Sequence, residues 1–149
     1  MPTIKERLQG DWKDAMRAKD RFRSGVLSMT KSAVLQIEKN EGIVLEDERV
    51  IEILAREIKQ RREAMLDFEK GNRQDLVEQN NAEIKILLEY LPQQLSKEEI
   101  QSIIKESALQ VGASNIKDMG KLMANVRPLV VGKADGKVVS QLVKDYLSK

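Results

Sequence analysis

Apolar residues recur along this chain at intervals of three and four, the spacing that paints one face of an α-helix. Ile4, Leu8, Trp12, Ala15 and Met16 make the first such face and predict a helix over about residues 3–18. Leu27, Thr30, Val34 and Ile37, with Val26, Met29 and Ala33, predict a second over about 21–40. Val50, Ile51, Leu54, Ile58, Met65 and Phe68 carry a third, from about 46 or 47 to 70. Leu76, Ile84, Leu87, Leu88 and Leu91 carry a fourth, about 73–91, with Asn80 at the edge of the stripe. Three shorter stripes follow. Ile100, Ile103, Ile104, Ala108 and Leu109 predict a helix ending near 110. Ile116, Met119, Leu122, Met123 and Val126 predict one over about 115–126, and Val138, Val139, Leu142, Val143 and Leu147 one over 136–148. Leu129-Val130-Val131 is too short to read as a strand.

The residues between the stripes supply stops and starts. Asp20, Asn72, Ser114 and Asp135 stand where side-chain caps are expected, and Gly42, Gly71 and Gly112 where helices close. Ser96 followed by Glu99 is a capping box, with Leu95 and Ile100 as its hydrophobic staple. Pro92 stops the fourth helix, and Arg127-Pro128 is expected to break the sixth. The predicted fold is all-α: a four-helix unit over 1–92, then a compact three-helix bundle over 93–149.

Composition narrows the chemistry. The chain has 149 residues, with 34% charged against a usual value of about 25%. Aromatics make up 3%, so the core is aliphatic. There is no Cys and no His, which removes thiolate chemistry and the commonest general base and metal ligand. The start lacks the apolar run of a signal peptide and no run reaches a membrane span. A soluble cytoplasmic protein with no membrane partner is the expectation. Net charge is +2, but residues 95–149 carry nine basic and six acidic side chains.

Few residues combine into chemistry. Gly132-Lys133-Ala134-Asp135-Gly136 has too few residues between its glycines for a phosphate-binding loop of the Walker type. Glu46-Asp47-Glu48 is consecutive and fans out around a helix start. Ser140 and Lys144 lie one turn apart, without the burial a Ser/Lys pair needs. No cofactor is expected. The stretch that stands out is 119–147. Gly120 is expected inside a helix, where it costs roughly 1 kcal/mol relative to Ala and suggests close approach of another backbone or of a ligand. Lys133 and Lys137 flank a helix N-terminus, whose amides and dipole favour anions. If the loop folds back on the sixth helix, Lys117, Lys121, Arg127, Gly132, Lys133 and Lys137 form one phosphate-contacting surface. The Arg17, Lys19, Arg21 and Arg23 junction and the polar run Lys59-Gln60-Arg61-Arg62-Glu63 read as solvated faces.

These same residues resemble a known family. Asp118-Met119-Gly120-Lys121-x-Met123, then Gly132-Lys133-Ala134-Asp135-Gly136-Lys137-Val138-Val139-Ser140-x-Leu142-Val143-Lys144-x-x-Leu147, is similar to the tail domain of the GatB subunit of the tRNA-dependent amidotransferase. Leu45-x-Asp47-Glu48, Lys59-Gln60-Arg61-Arg62-Glu63, Asn72-Arg73-x-Asp75-Leu76, Glu83-Ile84 and Tyr90-Leu91-Pro92-x-Gln94-Leu95-Ser96 extend the resemblance to the standalone YqeY-like proteins. The chain departs from them at Leu27-Ser28, where Leu-Arg is frequent.

The resemblance implies a two-part helical protein whose C-terminal bundle matches the part of GatB that engages tRNA. Glutamine hydrolysis and activation of the misacylated tRNA belong to parts of the amidotransferase not present in this sequence. What carries over is a tRNA-contacting surface without a catalytic centre, although the family label is that of a carbon–nitrogen ligase with glutamine as amido donor. The alternatives are a helical protein-interaction module with no RNA binding, docking on an amidotransferase, a synthetase or its own copy, and an amide-transferring enzyme in its own right.

Overall fold

The computed structural model describes all 149 residues as seven α-helices and one 3-10 turn, with no strand. The chain forms two compact units, residues 1–91 and 92–149, each with its own aliphatic core.

The first unit holds α1 (Ile4–Arg17), α2 (Arg21–Glu41), α3 (Asp47–Lys70) and α4 (Gln74–Leu88). Its first two helices begin where a side chain satisfies a free backbone N–H. Thr3 accepts from the Glu6 amide and Asp20 from the Arg23 amide. Gly42 ends α2 at φ +67°, and its N–H reaches the Glu38 carbonyl at 2.8 Å. Asp47 starts α3 and also accepts the Ile4 amide at 3.0 Å, which ties the first turn of α1 to α3. The core runs through Leu8, Leu27, Val50, Leu54, Leu87 and Tyr90, all almost fully buried. Thr30 joins them because its hydroxyl donates to the Val26 carbonyl at 2.8 Å.

The first unit departs from the stripe pattern in three ways. Asn72 does not cap α4. It adopts φ +56° and terminates α3, a left-handed conformation Asn tolerates better than most residues, while Gly71 stays at φ −87°. The fourth helix stops at Leu88, and tight i→i+3 bonds carry Glu89, Tyr90 and Leu91 to Pro92. Met16 and Met29 face solvent, whereas Ile53, Val77 and Ile86 are buried. Helical stripes are wide, and their edge residues are decided by the neighbouring helix.

Glu38 makes part of this unit sensitive to acid. Its carboxylate lies 2.5 Å from the Lys5 ammonium and accepts the Leu45 amide at 2.8 Å. The Lys5 contact first, then the Leu45 amide, hold its pKa below the ordinary 4.5. A depressed carboxylate contributes stability above its unfolded value and loses it as pH falls through the folded value. Thermal stability should therefore hold above pH 4.5 and fall progressively below it. Asp75, Glu99 and Asp118 are depressed too, so Glu38→Gln should flatten the acid limb in part. A melting temperature as steep in pH for Glu38→Gln as for the parent would contradict this assignment.

The second unit holds α5 (Lys97–Val111), the 3-10 turn Ile116–Asp118, α6 (Met119–Val130) and α7 (Gly136–Leu147). Both bonds of the capping box form: the Glu99 amide donates to Ser96 Oγ at 3.1 Å, and the Ser96 amide to Glu99 Oε1 at 3.0 Å. Ile104, Leu122, Val126, Val139 and Val143 fill the core. Here too some expectations change. Asn115, not Ser114, caps the 3-10 turn, while the Ser114 amide donates to Asp118. Leu109, Ile116 and Val138 are exposed. The sixth helix continues through Pro128 to Val130. Proline removes one backbone donor, but burial of Val130 and the Val131 amide bond to the Arg127 carbonyl at 3.1 Å hold the last turn.

Candidate nucleic-acid interface

The loop between α6 and α7 is built from the backbone outward. Gly132 is buried at φ +75°, a left-handed conformation that disfavours any side chain. Its carbonyl accepts from Gln94 Nε2 at 2.8 Å, and the same amide group donates to the Pro92 carbonyl at 3.1 Å. The Leu95 amide donates to the Lys133 carbonyl at 2.8 Å. The Lys133 and Ala134 amides both return to the Val130 carbonyl. Gly132 thus shapes the loop and offers little surface to a ligand, while the side chains of Lys133, Lys137 and Arg127 are exposed around it.

The N-terminus of α7 already has an anion. The Asp135 carboxylate accepts the Lys137 amide at 3.0 Å. That occupies the position where a free first-turn amide was expected to meet a phosphate, so positive potential at this loop comes from side chains.

The extent of α6 divides the candidate cations into two groups. A helix of 12 residues is about 18 Å long. Lys117 and Lys121 sit at its start, Arg127 in its last turns, and Lys133 and Lys137 beyond its end. The length of α6 lies between the first pair and the last. The Lys117 and Lys121 end also carries a negative charge. Asp118 is held below the usual carboxylate range by the amides of Ser114 and Asn115, and its Oδ1 lies 3.9 Å from Lys121 Nζ. The end formed by Arg127, Lys133 and Lys137 is the more basic.

Gly120 lies in the first turn of α6, exposed, and a β-carbon there would meet nothing within 4 Å. No neighbouring backbone within the protein accounts for it. In the basic junction before α2, Arg23 is drawn into a two-pronged pair with Glu89, at 2.9 and 3.1 Å. Arg17, Lys19 and Arg21 stay exposed. Sequence reasoning also missed the cluster around Glu89. Tyr90, almost fully buried, donates to Asp11, and the Arg7 guanidinium stands over its ring, 5.0 Å from the centroid. These partners are about 80 residues apart in sequence, so no local spacing signals them.

No helix is long and apolar enough to cross a membrane. Comparison with known proteins gives consistent relatives. A protein of Pyrenophora tritici-repentis named "Altered inheritance of mitochondria protein 41, mitochondrial" is 25% identical over 144 residues, 95% of this chain and 79% of that one. The protein of the same name from Kluyveromyces lactis is 37% identical over 87 residues, 56% of this chain and 45% of the relative, so the match spans less than half of it. An uncharacterised protein of Schizosaccharomyces pombe is 26% identical over 96 residues, 64% of this chain and 78% of that one. The profile described as "Yqey-like protein" matches residues 5–147, nearly the whole length, and the chain belongs to the YqeY-like family.

Proposed function

We propose that this protein is a cytoplasmic, non-catalytic accessory that contacts tRNA through its C-terminal unit and works alongside tRNA-dependent amidotransferase or a synthetase. The observation that carries the reading is the exposed set Arg127, Lys133 and Lys137 around a loop fixed by Gln94 and Leu95. The resemblance to the GatB tail read from the sequence of residues 118–123 and 132–147 supports it. Cations on a rigid frame give phosphate affinity without sequence readout. The only aromatic in this unit is the half-buried Tyr146, which favours a folded RNA backbone over stacked single-stranded bases.

The test is titration of the purified protein with a deacylated tRNA pool at low and moderate salt. Binding should weaken steeply with salt because each neutralised phosphate releases counterions. Lys133→Ala with Lys137→Ala should weaken binding and reduce the salt slope by about two. Lys117→Ala with Lys121→Ala should do less, since Asp118 already offsets that end. Salt-insensitive binding, or none, would remove the RNA reading. A protein-interaction module would then be the better account, favoured by Leu129, Val131 and Val138, which stand exposed beside the same cations.

A further inference from the structure

A shallow groove of about 240 Å³ opens between α5 and α7 in the second unit. On the α7 side it is lined by Leu142, Asp145 and Tyr146, and Lys149 past the helix end continues the same face. On the α5 side it is lined by Ile104 and Lys105. The floor is apolar, because Ile104 and Leu142 are buried core residues and the half-buried Tyr146 packs against the same core. The rim carries both signs of charge. Asp145 precedes Lys149 by four residues, the order that favours an ion pair along a helix. Yet Asp145 forms no ion pair with Lys149, Lys105 or any other cation. Its carboxylate is held instead by Gln141 Nε2 at 2.8 Å. The groove thus presents an oriented carboxylate and two unpaired ammonium groups above an apolar floor. Asp145 lies about 12 Å along α7 from Lys137, so the groove is separate from the candidate RNA surface.

We propose that this groove binds the zwitterion of a free α-amino acid with a medium-sized apolar side chain, such as leucine. The charges select the class. A simple anion would meet Asp145, and a simple cation would meet Lys105 and Lys149. An uncharged apolar molecule would cover the rim charges without pairing them, which costs free energy. A zwitterion satisfies both signs. Its ammonium faces Asp145, its carboxylate faces Lys105 and Lys149, and its side chain rests on Ile104 and Leu142. The volume sets the size. It falls a little below the roughly 300–1,000 Å³ of pockets for drug-sized ligands, which suits a molecule of the bulk of leucine. The rim charges are exposed and screened by salt, so the Kd is on the order of 1 mM. This binding does not depend on the RNA reading.

Amide NMR titration of the full chain with L-leucine, to about 20 mM at fixed pH and ionic strength, tests this. Shifts should saturate with a Kd of about 1 mM and be confined to amides around 101–105 and 142–149. Leucinamide lacks the carboxylate and N-acetyl-leucine lacks the ammonium, and each should bind at least about fivefold more weakly. Glycine, with no side chain for the floor, should also bind more weakly. Asp145→Asn should weaken leucine binding about fivefold without weakening N-acetyl-leucine, a split that damage to the fold would not produce. Lys105→Gln with Lys149→Gln should weaken leucine without weakening leucinamide. All three side chains are exposed, so the spectra of the free variants should otherwise match the parent. No saturable shift, shifts centred elsewhere, equal binding of leucine and its two blocked derivatives, or an Asp145→Asn variant that binds leucine like the parent would each overturn the proposal.

Discussion

Replacing Tyr90 by alanine should destabilise the first unit by about 4 kcal/mol, within the range for removing a fully buried aromatic side chain. Tyr90 is 2% exposed and closes the core of α1, α2 and α4 from a turn beyond the last helix. Its hydroxyl donates to Asp11 Oδ2 at 2.5 Å, and burial foremost, then this bond, pushes the hydroxyl pKa up. It therefore stays a protonated donor throughout the neutral range. Tyr90→Phe keeps the ring under Arg7 and removes only the donor, leaving the half-buried Asp11 carboxylate unmatched, at a cost of about 1 kcal/mol. Trp12 is the only tryptophan and packs on this core, so its fluorescence reports unfolding of this unit. Urea unfolding of the two variants should separate ring from hydroxyl. A loss under about 1 kcal/mol for Tyr90→Ala would mean that the turn repacks and does not close the core.

The contrast between Tyr90 and the stripe residues shows what the sequence exposes. Ile4, Leu8, Leu27, Val34, Leu54 and Leu87 were legible because helical periodicity repeats their burial every three or four positions. Tyr90 lies past the end of α4, where periodicity no longer applies, and its partners come from α1. Helix ends were legible where the signal is chemical, as with Ser96 and Glu99. They were misread where tertiary burial overrides a local rule. Pro128 stays inside α6 because Val130 is buried. The candidate cations were identifiable as residues, but how far the loop stands from Lys117 and Lys121 depends on where α6 ends. With α6 reaching Val130, the two groups stand at opposite ends of one helix.

Arg61 was read as part of a solvated run, yet its side chain is only 12% exposed, between α3 and α4. Nε donates to Glu83 Oε2 at 3.0 Å, and Nη1 to the Glu57 carbonyl at 3.1 Å, with Glu57 Oε2 3.7 Å away. Gln79 reaches the other oxygen of Glu83 at 3.4 Å, and Asn80, a turn before Glu83, has a buried Nδ2 with no partner. The α3–α4 seam thus holds polar groups beside the apolar contacts of Ile58, Ile84 and Leu87. Removing one member of a buried pair leaves the other desolvated and uncompensated. Arg61→Ala should therefore cost about 2 kcal/mol, less than a fully buried pair because Glu57 and Glu83 keep some solvent. Arg61→Lys should recover less than half of that, since an ammonium cannot span the Glu83 carboxylate and the Glu57 carbonyl together. A double-mutant cycle with Glu83→Gln, followed by urea unfolding, should give a coupling of about 1 kcal/mol or more. Additive losses would mean that the Arg61–Glu83 pair contributes no coupling and that α3 and α4 are held by Ile58, Ile84 and Leu87.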